Sequence, residues 1–226
     1  MTNDTPVGGD PSHGRMQPDP SETAAEFWER RYAGQDQMWS GRPNHWLEVL
    51  AGPLAPGRAL DLGCGEGGDA VWLAARGWDV TAVDVSETAV RRTNERAASA
   101  GVAGRVHAEQ RDLERAVPDG EWDLVSAQFL QTPLPFDRTG VLRQAASALR
   151  PGGRLLVVDH GSAPPWSGHH HAHLPTVDET LAEIALDPRS WDVETAASWS
   201  REATGPSGEV AAVLDNVLVF RRQLCL

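Results

Sequence analysis

The sequence contains no lysine, since all 20 of its basic residues are arginine. A Schiff base needs a lysine amine, so mechanisms that proceed through one, pyridoxal phosphate chemistry among them, are excluded. The phosphate-binding P-loop also requires a lysine and is excluded for the same reason. One missing residue type therefore removes several enzyme classes.

Cysteine and long apolar stretches are also scarce. Cys64 lies in a glycine-rich turn and Cys225 is the last residue but one, so the sequence predicts no disulfide framework. No apolar run approaches the ~18 residues that a membrane-spanning helix needs. Residues 1–20 lack the apolar stretch of a signal peptide. We therefore expect no membrane partner and a cytoplasmic location.

Positive charge is in deficit. Twenty basic residues face 32 acidic ones, which gives a formal net charge of −12. Such a surface repels polyanions, so we expect no nucleic-acid partner. A chain of 226 residues fits one domain of ordinary size. The oligomeric state cannot be read from these features.

A glycine-rich turn follows the first apolar strand. Residues 59–62 lead into Gly63-Cys64-Gly65-Glu66-Gly67-Gly68. Glycine lets the backbone turn sharply and lets a ligand approach closely. A second apolar strand, residues 78–83, is followed by Asp84, which lies 21 residues after Gly63. An acid at this place can accept both hydroxyls of a ribose, so the pattern predicts an adenosine-containing cofactor in an α/β fold.

Two kinds of cofactor satisfy this pattern. Gly63, Gly65 and Gly68 also fit the dinucleotide motif G-x-G-x-x-G, in which a pyrophosphate lies on a helix N-terminus. Asp61 and Glu66 would repel a pyrophosphate. Both acids suit the ammonium and sulfonium groups of S-adenosylmethionine. The charges therefore favour S-adenosylmethionine over NAD.

The spacing Asp61-x-Gly63-x-Gly65-x-Gly67 resembles the motif of the class I S-adenosylmethionine-dependent methyltransferases. Residues 105–113, 122–129 and 149–158 are similar, in order and spacing, to the third, fourth and fifth strands of that family. Residues 27–44 resemble its small-molecule branch, related to thiopurine and tellurite methyltransferases. The resemblance implies an α/β, Rossmann-like fold with a mostly parallel seven-stranded sheet and an antiparallel C-terminal hairpin.

The chain is predicted to have three parts. Residues 1–22 form a disordered tail, 23–57 a helical lid segment and 58–222 the methyltransferase domain. Strands that alternate with helices predict a parallel sheet with right-handed crossovers. Residues 205–208, Gly-Pro-Ser-Gly, separate strands at 191–198 and 209–221 and predict the antiparallel hairpin. Dinucleotide dehydrogenases usually lack this hairpin, so it distinguishes the two interpretations.

The resemblance assigns a role to each part of the cofactor site. The glycine loop holds the methionine half of S-adenosylmethionine, Asp84 the ribose hydroxyls, and Asp112 the adenine amine. Asp112 as a turn cap is the alternative. An arginine in the lid suits the methionine carboxylate. The predicted cofactor-binding residues are Trp39, Arg42, Asp61, Gly63, Cys64, Gly65, Gly67, Asp84, Val85, Asp112, Leu113 and Ala127.

Two polar residues are candidates for the methyl-transfer step itself. Transfer from a sulfonium is an in-line displacement with a good leaving group, so the protein mainly aligns the reactants and excludes water. A weakly acidic hydroxyl or amine also needs a base. His160, directly after the fifth strand, is the candidate base and Gln128 an orienting group. A hydrogen-bonded histidine at a strand end is the alternative for His160.

No metal site is predicted. Histidines at 169–171 and 173 lie in a loop rich in proline and glycine, without an acid or cysteine beside them at ligand spacing. The expected function is methyl transfer from S-adenosylmethionine to a small-molecule acceptor, with S-adenosylhomocysteine as product. The alternatives are a non-catalytic S-adenosylmethionine-binding protein and an NAD-type oxidoreductase. Tellurite, thiols, thiopurines and phenols all remain open as acceptors.

Overall fold

The computed structural model describes residues 19, 21–167, 174–205 and 207–224. Within these ranges a seven-stranded sheet carries helices on both faces. The strands are β1 (Arg58–Leu62), β2 (Asp79–Asp84), β3 (Val106–Gln110), β4 (Trp122–Gln128), β5 (Leu149–His160), β6 (Trp191–Thr204) and β7 (Val210–Arg222). The α-helices are α1 (Ala24–Ala33), α2 (His45–Ala51), α3 (Gly68–Ala75), α4 (Glu87–Ser99), α5 (Arg138–Ser147) and α6 (Val177–Ile184).

The strand order places a switch point beside the glycine turn. The order is β3-β2-β1-β4-β5-β7-β6, in which the first five strands run parallel and β7 runs antiparallel to both of its neighbours. The chain moves from β1 outward to β3 and then returns to the other side of β1. In open α/β sheets a ligand binds at such a reversal, outside the carboxyl ends of the strands. The predicted fold class is confirmed.

Apolar side chains fill both faces of the sheet. One core lies between the sheet and helices α5 and α6, and contains Trp122, Leu142, Ile184 and Phe220. The other lies beneath α2, α3 and α4, and includes Leu47 and the small residues of α3. Burial on both faces explains why β1 and β4 read as nearly continuous apolar runs in the sequence.

The cap of the first helix lies two residues beyond Ser21, the cap that the sequence predicts. The Ser21 hydroxyl donates to Asp19. Thr23 caps the helix instead: its hydroxyl accepts the Glu26 amide, and the Glu26 carboxylate accepts the Thr23 amide. The sequence also predicts a capping box of Thr176 with Glu179, and the structure confirms it.

The C-terminal hairpin is longer than predicted. β6 continues to Thr204 rather than ending at Ser198, and it pairs with β7 along its whole length. The last pair between β5 and β7 is His160 with Asp215, so residues 200–214 extend beyond β5 as a two-stranded ribbon. We call residues 200–214 the hairpin arm. It projects from the edge of the sheet at which the parallel strands end.

Several predicted features fall outside the described residues. They are most of the N-terminal tail, the histidines at 169–171 and 173, and Cys225. Among the helices that the structure does describe, none is both long enough and apolar enough to cross a membrane.

Candidate active site

The glycine turn between β1 and α3 adopts backbone angles that favour glycine. Gly63, Gly65 and Gly67 have φ values of 70°, 55° and 79°. A Cβ atom on Gly65 would lie 3.1 Å from the Tyr32 hydroxyl and 3.2 Å from Cδ1 of Trp39. A side chain at Gly65 would therefore meet both a strained backbone and two aromatic residues.

Asp84 connects the glycine turn to the end of β2. Its carboxylate accepts hydrogen bonds from the amides of Gly65 and Ser86, both at 3.0 Å. The side chain is buried, and burial raises the pKa of Asp84 to about 6 despite these amide bonds. Each carboxylate oxygen has a second lone pair, so both can accept further hydrogen bonds from a ligand.

Two buried acceptors at neighbouring strand ends lack a donor. Asp61 is 2% exposed and Gln128 is 8% exposed. Gln128 donates to the Ser126 hydroxyl at 3.1 Å, and Ser126 is the β4 partner of Asp61. Within the described residues, Oδ2 of Asp61 and Oε1 of Gln128 have no hydrogen-bond partner. Six further buried polar atoms among the described residues are also unpaired, Trp122 Nε1 and Asp159 Oδ2 among them. It is the position of Asp61 and Gln128, next to the glycine turn at the carboxyl ends of β1 and β4, that points to a ligand with donors or positive charge.

Burial, reinforced by the charges of Asp69 and Asp84, raises the pKa of Asp61 well above its ordinary value of 3.8. The folded state therefore holds the Asp61 proton at pH values where the unfolded state releases it. Ionisation of Asp61 costs stability as the pH rises above about 4.

We expect Asp61→Asn to raise the melting temperature of the ligand-free protein at pH 8 and to leave it unchanged near pH 4. The gain should be about 2–4 °C, which is what ~1 kcal/mol produces in a domain of this size. Asp79→Asn is the control, because Asp79 is exposed at the opposite end of β2. Scanning calorimetry at both pH values measures the effect. A loss of stability of similar size at both would contradict this account.

The lid segment covers the glycine turn. Trp39 donates from Nε1 to the Tyr32 hydroxyl at 3.0 Å. Glu66 accepts the amides of Met38 and Trp39 and pairs with Arg92 at 2.7 Å. The expectation that Glu66 faces a cationic ligand is therefore not met, since its charge is neutralised by Arg92 and its oxygens bind the lid.

Helix α1 of the lid segment forms hydrogen bonds with residues that follow two different strands, β2 and β4. Glu29 on α1 accepts hydrogen bonds from the Ser86 hydroxyl and from the amide and hydroxyl of Thr88, at the start of α4. Trp28 on the same helix donates to the Thr132 hydroxyl at 3.3 Å. Helix α1 thus bridges the residues that follow β2 and β4.

The other predicted cofactor-binding residues differ in which of their atoms a ligand could contact. Arg42 is exposed, and its backbone carbonyl rather than its guanidinium approaches the turn, near Gly68. Asp112 is exposed and accepts the Glu114 amide at 3.1 Å, so it caps the turn, as the alternative allowed. Val85 follows Asp84 and is half-buried. The side chains of Cys64, Leu113 and Ala127 pack in the core, so only their backbones are available to a ligand.

His160 lies at the tip of β5, next to an unusual residue. Its ring stacks on Phe129 with centroids 4.3 Å apart and planes inclined by 24°. Phe129 directly follows β4 and has a φ of 53°, a left-handed conformation that a bulky residue rarely adopts. Such strain persists only where the surroundings enforce it, and it often marks functional sites. The structure brings His160 and Gln128 to the same edge of the sheet.

Sequence reasoning missed a polar cluster behind His160. Asp215 is fully buried, pairs with Arg201, and accepts a hydrogen bond from Trp46 Nε1 at 2.9 Å. The sequence carries one signal of this cluster: Asp215 and Asn216 interrupt an otherwise apolar strand at 210–220. Polar residues in such a strand are buried only when paired, which predicts partners without identifying them.

Comparison with known proteins accounts for this architecture. Residues 59–153 match the family model described as a methyltransferase domain. A chain from the structure titled "Conversion of a Disulfide Bond into a Thioacetal Group during Echinomycin Biosynthesis" superposes with a TM-score of 0.68 at 26% identity, covering 88% of this chain and 93% of that one. Residues 59–153 therefore form a methyltransferase domain, and the fold is that of the class I S-adenosylmethionine-dependent methyltransferases. This match favours methyl transfer over the NAD-type alternative.

Two further relatives set the limits of the comparison. The 27-O-demethylrifamycin SV methyltransferase of Amycolatopsis mediterranei is 44% identical, over 59% of this methyltransferase and 56% of that protein. The chain thus spans about half the length of the curated relatives it matches. TehB from Haemophilus influenzae superposes with a TM-score of 0.64 at 18% identity, covering 86% and 67% of the two chains. That likeness shows the fold alone, and the tellurite and thiopurine branch stays a prediction.

The residues of this methyltransferase fit S-adenosylmethionine. The unpaired oxygens of Asp61 and Gln128 match the positive charge of an ammonium or sulfonium group. Gly63 is exposed at the sheet edge, so the turn presents bare backbone to a ligand. A side chain at this position would also approach Leu130, whose Cδ1 would lie 2.8 Å from the added Cβ. Asp84, with free lone pairs on both oxygens, matches a pair of ribose hydroxyls.

Proposed function

We propose that this protein transfers a methyl group from S-adenosylmethionine to a hydroxyl oxygen of a small molecule. The observation that carries the proposal is the pair of unpaired buried acceptors, Asp61 and Gln128, between the glycine turn and the tip of β5. They favour a cationic cofactor over a dinucleotide, whose pyrophosphate they would repel.

Two features support a small hydroxyl acceptor. The 44% identical relative is named for action on 27-O-demethylrifamycin SV, a small molecule with an O-linked position. In this chain His160 lies at the tip of β5, at the edge of the sheet where the parallel strands end, and is the candidate base. Desolvation of the His160 ring, which stacks on Phe129, lowers the pKa of His160 below its ordinary value of 6.5 and so favours the neutral imidazole. A neutral imidazole is needed for a hydroxyl acceptor and is unnecessary for an ionised thiol.

The cofactor supplies a methyl group on a sulfonium, whose thioether is an excellent leaving group. Asp84 holds the ribose, and the backbone of the glycine turn supports the methionine half. The lid segment covers part of the glycine turn and so limits the access of water, which would compete with the acceptor oxygen for the methyl group. His160 takes the hydroxyl proton as the acceptor oxygen forms its bond to the methyl carbon, and later releases that proton to solvent. Gln128 orients the reactants through its free carbonyl oxygen.

Calorimetric titration tests the cofactor part of the proposal. We expect S-adenosylmethionine and S-adenosylhomocysteine to bind with micromolar dissociation constants, and NAD and NADP not to bind. Binding of NAD, or of neither sulfur compound, would overturn the proposal.

A second assay tests the acceptor. Release of S-adenosylhomocysteine is measured with matched panels of phenols, aliphatic alcohols and thiols. Turnover with hydroxyl compounds supports the proposal, and turnover with thiols alone contradicts it. Cofactor binding without turnover on any panel would favour the non-catalytic alternative.

A further inference from the structure

An ion pair lies next to the candidate base, between Arg201 in the hairpin arm and the buried Asp215. Arg201 on β6 binds both carboxylate oxygens of Asp215 on β7, at 2.5 and 3.3 Å. Asp215 is 0% exposed and is the cross-strand partner of His160. Cross-strand partners lie on the same face of a sheet, with Cβ atoms about 5 Å apart. The carboxylate therefore lies beside the imidazole, while its hydrogen bonds come from Arg201 and Trp46.

The same arginine also contacts the residue that supports His160. Its guanidinium carbon lies 5.9 Å from the centre of the Phe129 ring, on which His160 stacks. This distance is within the range of cation–π attraction. Arg201 thus connects the Asp215 carboxylate to the Phe129 ring. The strained backbone of Phe129 is what places that ring beneath the imidazole.

The charges around His160 oppose one another. Burial lowers the pKa of His160, the Asp215 carboxylate raises it, and the Arg201 guanidinium lowers it again. Trp46 on α2 donates to Asp215, and His45 packs edge-on against Trp46 with ring centroids 4.5 Å apart. Asp215 and Arg201 are thus the charged groups that act on the imidazole, and His45 is a titratable group that packs against the Trp46 donor of Asp215.

We propose that Arg201 and Asp215 are positioning residues for His160. By engaging the carboxylate, Arg201 prevents Asp215 from forming a charged pair with the imidazole and so keeps His160 available as a neutral base. By contacting Phe129, it fixes the plane in which the imidazole ring lies. The inference rests on the proposed function in assigning the proton transfer to His160, but the electrostatic coupling can be measured without turnover.

The test is an NMR titration of His160 in four proteins: the wild type, Arg201→Gln, Asp215→Asn and the double variant. The His160 signal is assigned from its loss in His160→Gln. We expect Arg201→Gln to shift the His160 midpoint upward, because the released carboxylate stabilises the imidazolium. We expect Asp215→Asn to shift it downward, and the double variant to return close to the wild type.

The opposite signs separate this inference from a general loss of structure. A disrupted arm would loosen the packing around His160 in both single variants and move both midpoints upward toward 6.5, the ordinary histidine value. Shifts in the same direction, or no shift in either variant, would overturn the proposal. Arg201→Lys retains the charge and should lie nearer the wild type than Arg201→Gln does. The control is Arg154→Gln, which breaks the ion pair with Glu194 nearer the start of β5 and should not move His160.

Kinetics with an accepted hydroxyl substrate extend the test. The acid limb of the kcat/KM profile should move with the His160 midpoint, so that Arg201→Gln loses about threefold or more at pH 6 and little at pH 8.5. S-adenosylhomocysteine affinity should not change. If the cofactor fails to bind any of these proteins, the proposed function fails. If it binds but the titrations show no coupling, only the present inference fails.

Discussion

Replacing Asp84 with alanine is expected to weaken S-adenosylhomocysteine binding by at least ~100-fold, measured by titration calorimetry at pH 8. Each hydrogen bond from a ribose hydroxyl to a buried carboxylate contributes about 1.5–3 kcal/mol, and tenfold in affinity corresponds to ~1.4 kcal/mol. Loss of both bonds therefore suffices. The variant also loses the hydrogen bonds that Asp84 accepts from Gly65 and Ser86, which loosens the glycine turn.

Two controls separate ligand contact from folding in this experiment. Asp79→Ala removes an acid from the same strand, but Asp79 is exposed and its contact with His107 lies at the far end of β2. It should leave affinity within about twofold of the wild type, as surface substitutions generally do. The melting temperature reports whether Asp84→Ala stays folded. A folded Asp84→Ala protein with wild-type affinity would overturn the assignment of this residue to the ribose.

The pH of the measurement matters because burial raises the pKa of Asp84 to about 6. Only the ionised carboxylate accepts two hydroxyl hydrogen bonds at full strength. In the wild type, affinity should therefore fall as the pH drops below about 6, approaching tenfold per pH unit. Asp84→Asn should show weaker binding and lack this contribution to the pH dependence.

The fold was predictable because its signals are local. Alternation of apolar strands with capped helices, and the glycines that separate them, lie within short stretches of sequence. The start of α1 needed one more local signal, since Ser21 and Thr23 are both good caps and only Thr23 has a glutamate three residues later. The length of β6 was not local. Residues 199–204 are held in the strand by pairing with residues 210–215, which lie across the turn.

The same contrast between local and long-range signals applies to the candidate site. Asp61, Asp84 and the glycines lie at strand ends, and the carboxyl ends of parallel strands meet at one edge, so the sequence predicted their proximity. The sequence assigned Glu66 to a cationic ligand because the residue that neutralises it, Arg92, lies on α4, 26 residues further along the chain. Arg201 and Trp46 reach Asp215 from elements far apart in sequence. Neither the spacing nor the composition of the sequence indicates that these side chains contact one another.

The second large effect is expected at His160. In an assay with a hydroxyl acceptor, His160→Gln should lower kcat by about 100-fold, since a positioned general base contributes roughly 10²–10⁴ in rate. Glutamine keeps a polar side chain of similar length but cannot hold a proton. S-adenosylhomocysteine affinity should stay within about twofold of the wild type, because the proposed function assigns His160 to the acceptor and not to the cofactor.

An acceptor series makes this prediction diagnostic of the role of His160. As the pKa of the acceptor hydroxyl falls, a larger fraction of the acceptor is already ionised, and the base contributes less to the rate. The ratio of wild-type to His160→Gln rates should therefore decline along a series of phenols of decreasing pKa. A ratio that is large but constant along the series would mean that His160 shapes the acceptor pocket without taking the proton. Loss of the stacking partner in Phe129→Leu should lower the rate for every member of the series, because the imidazole is then present but no longer held by the ring beneath it.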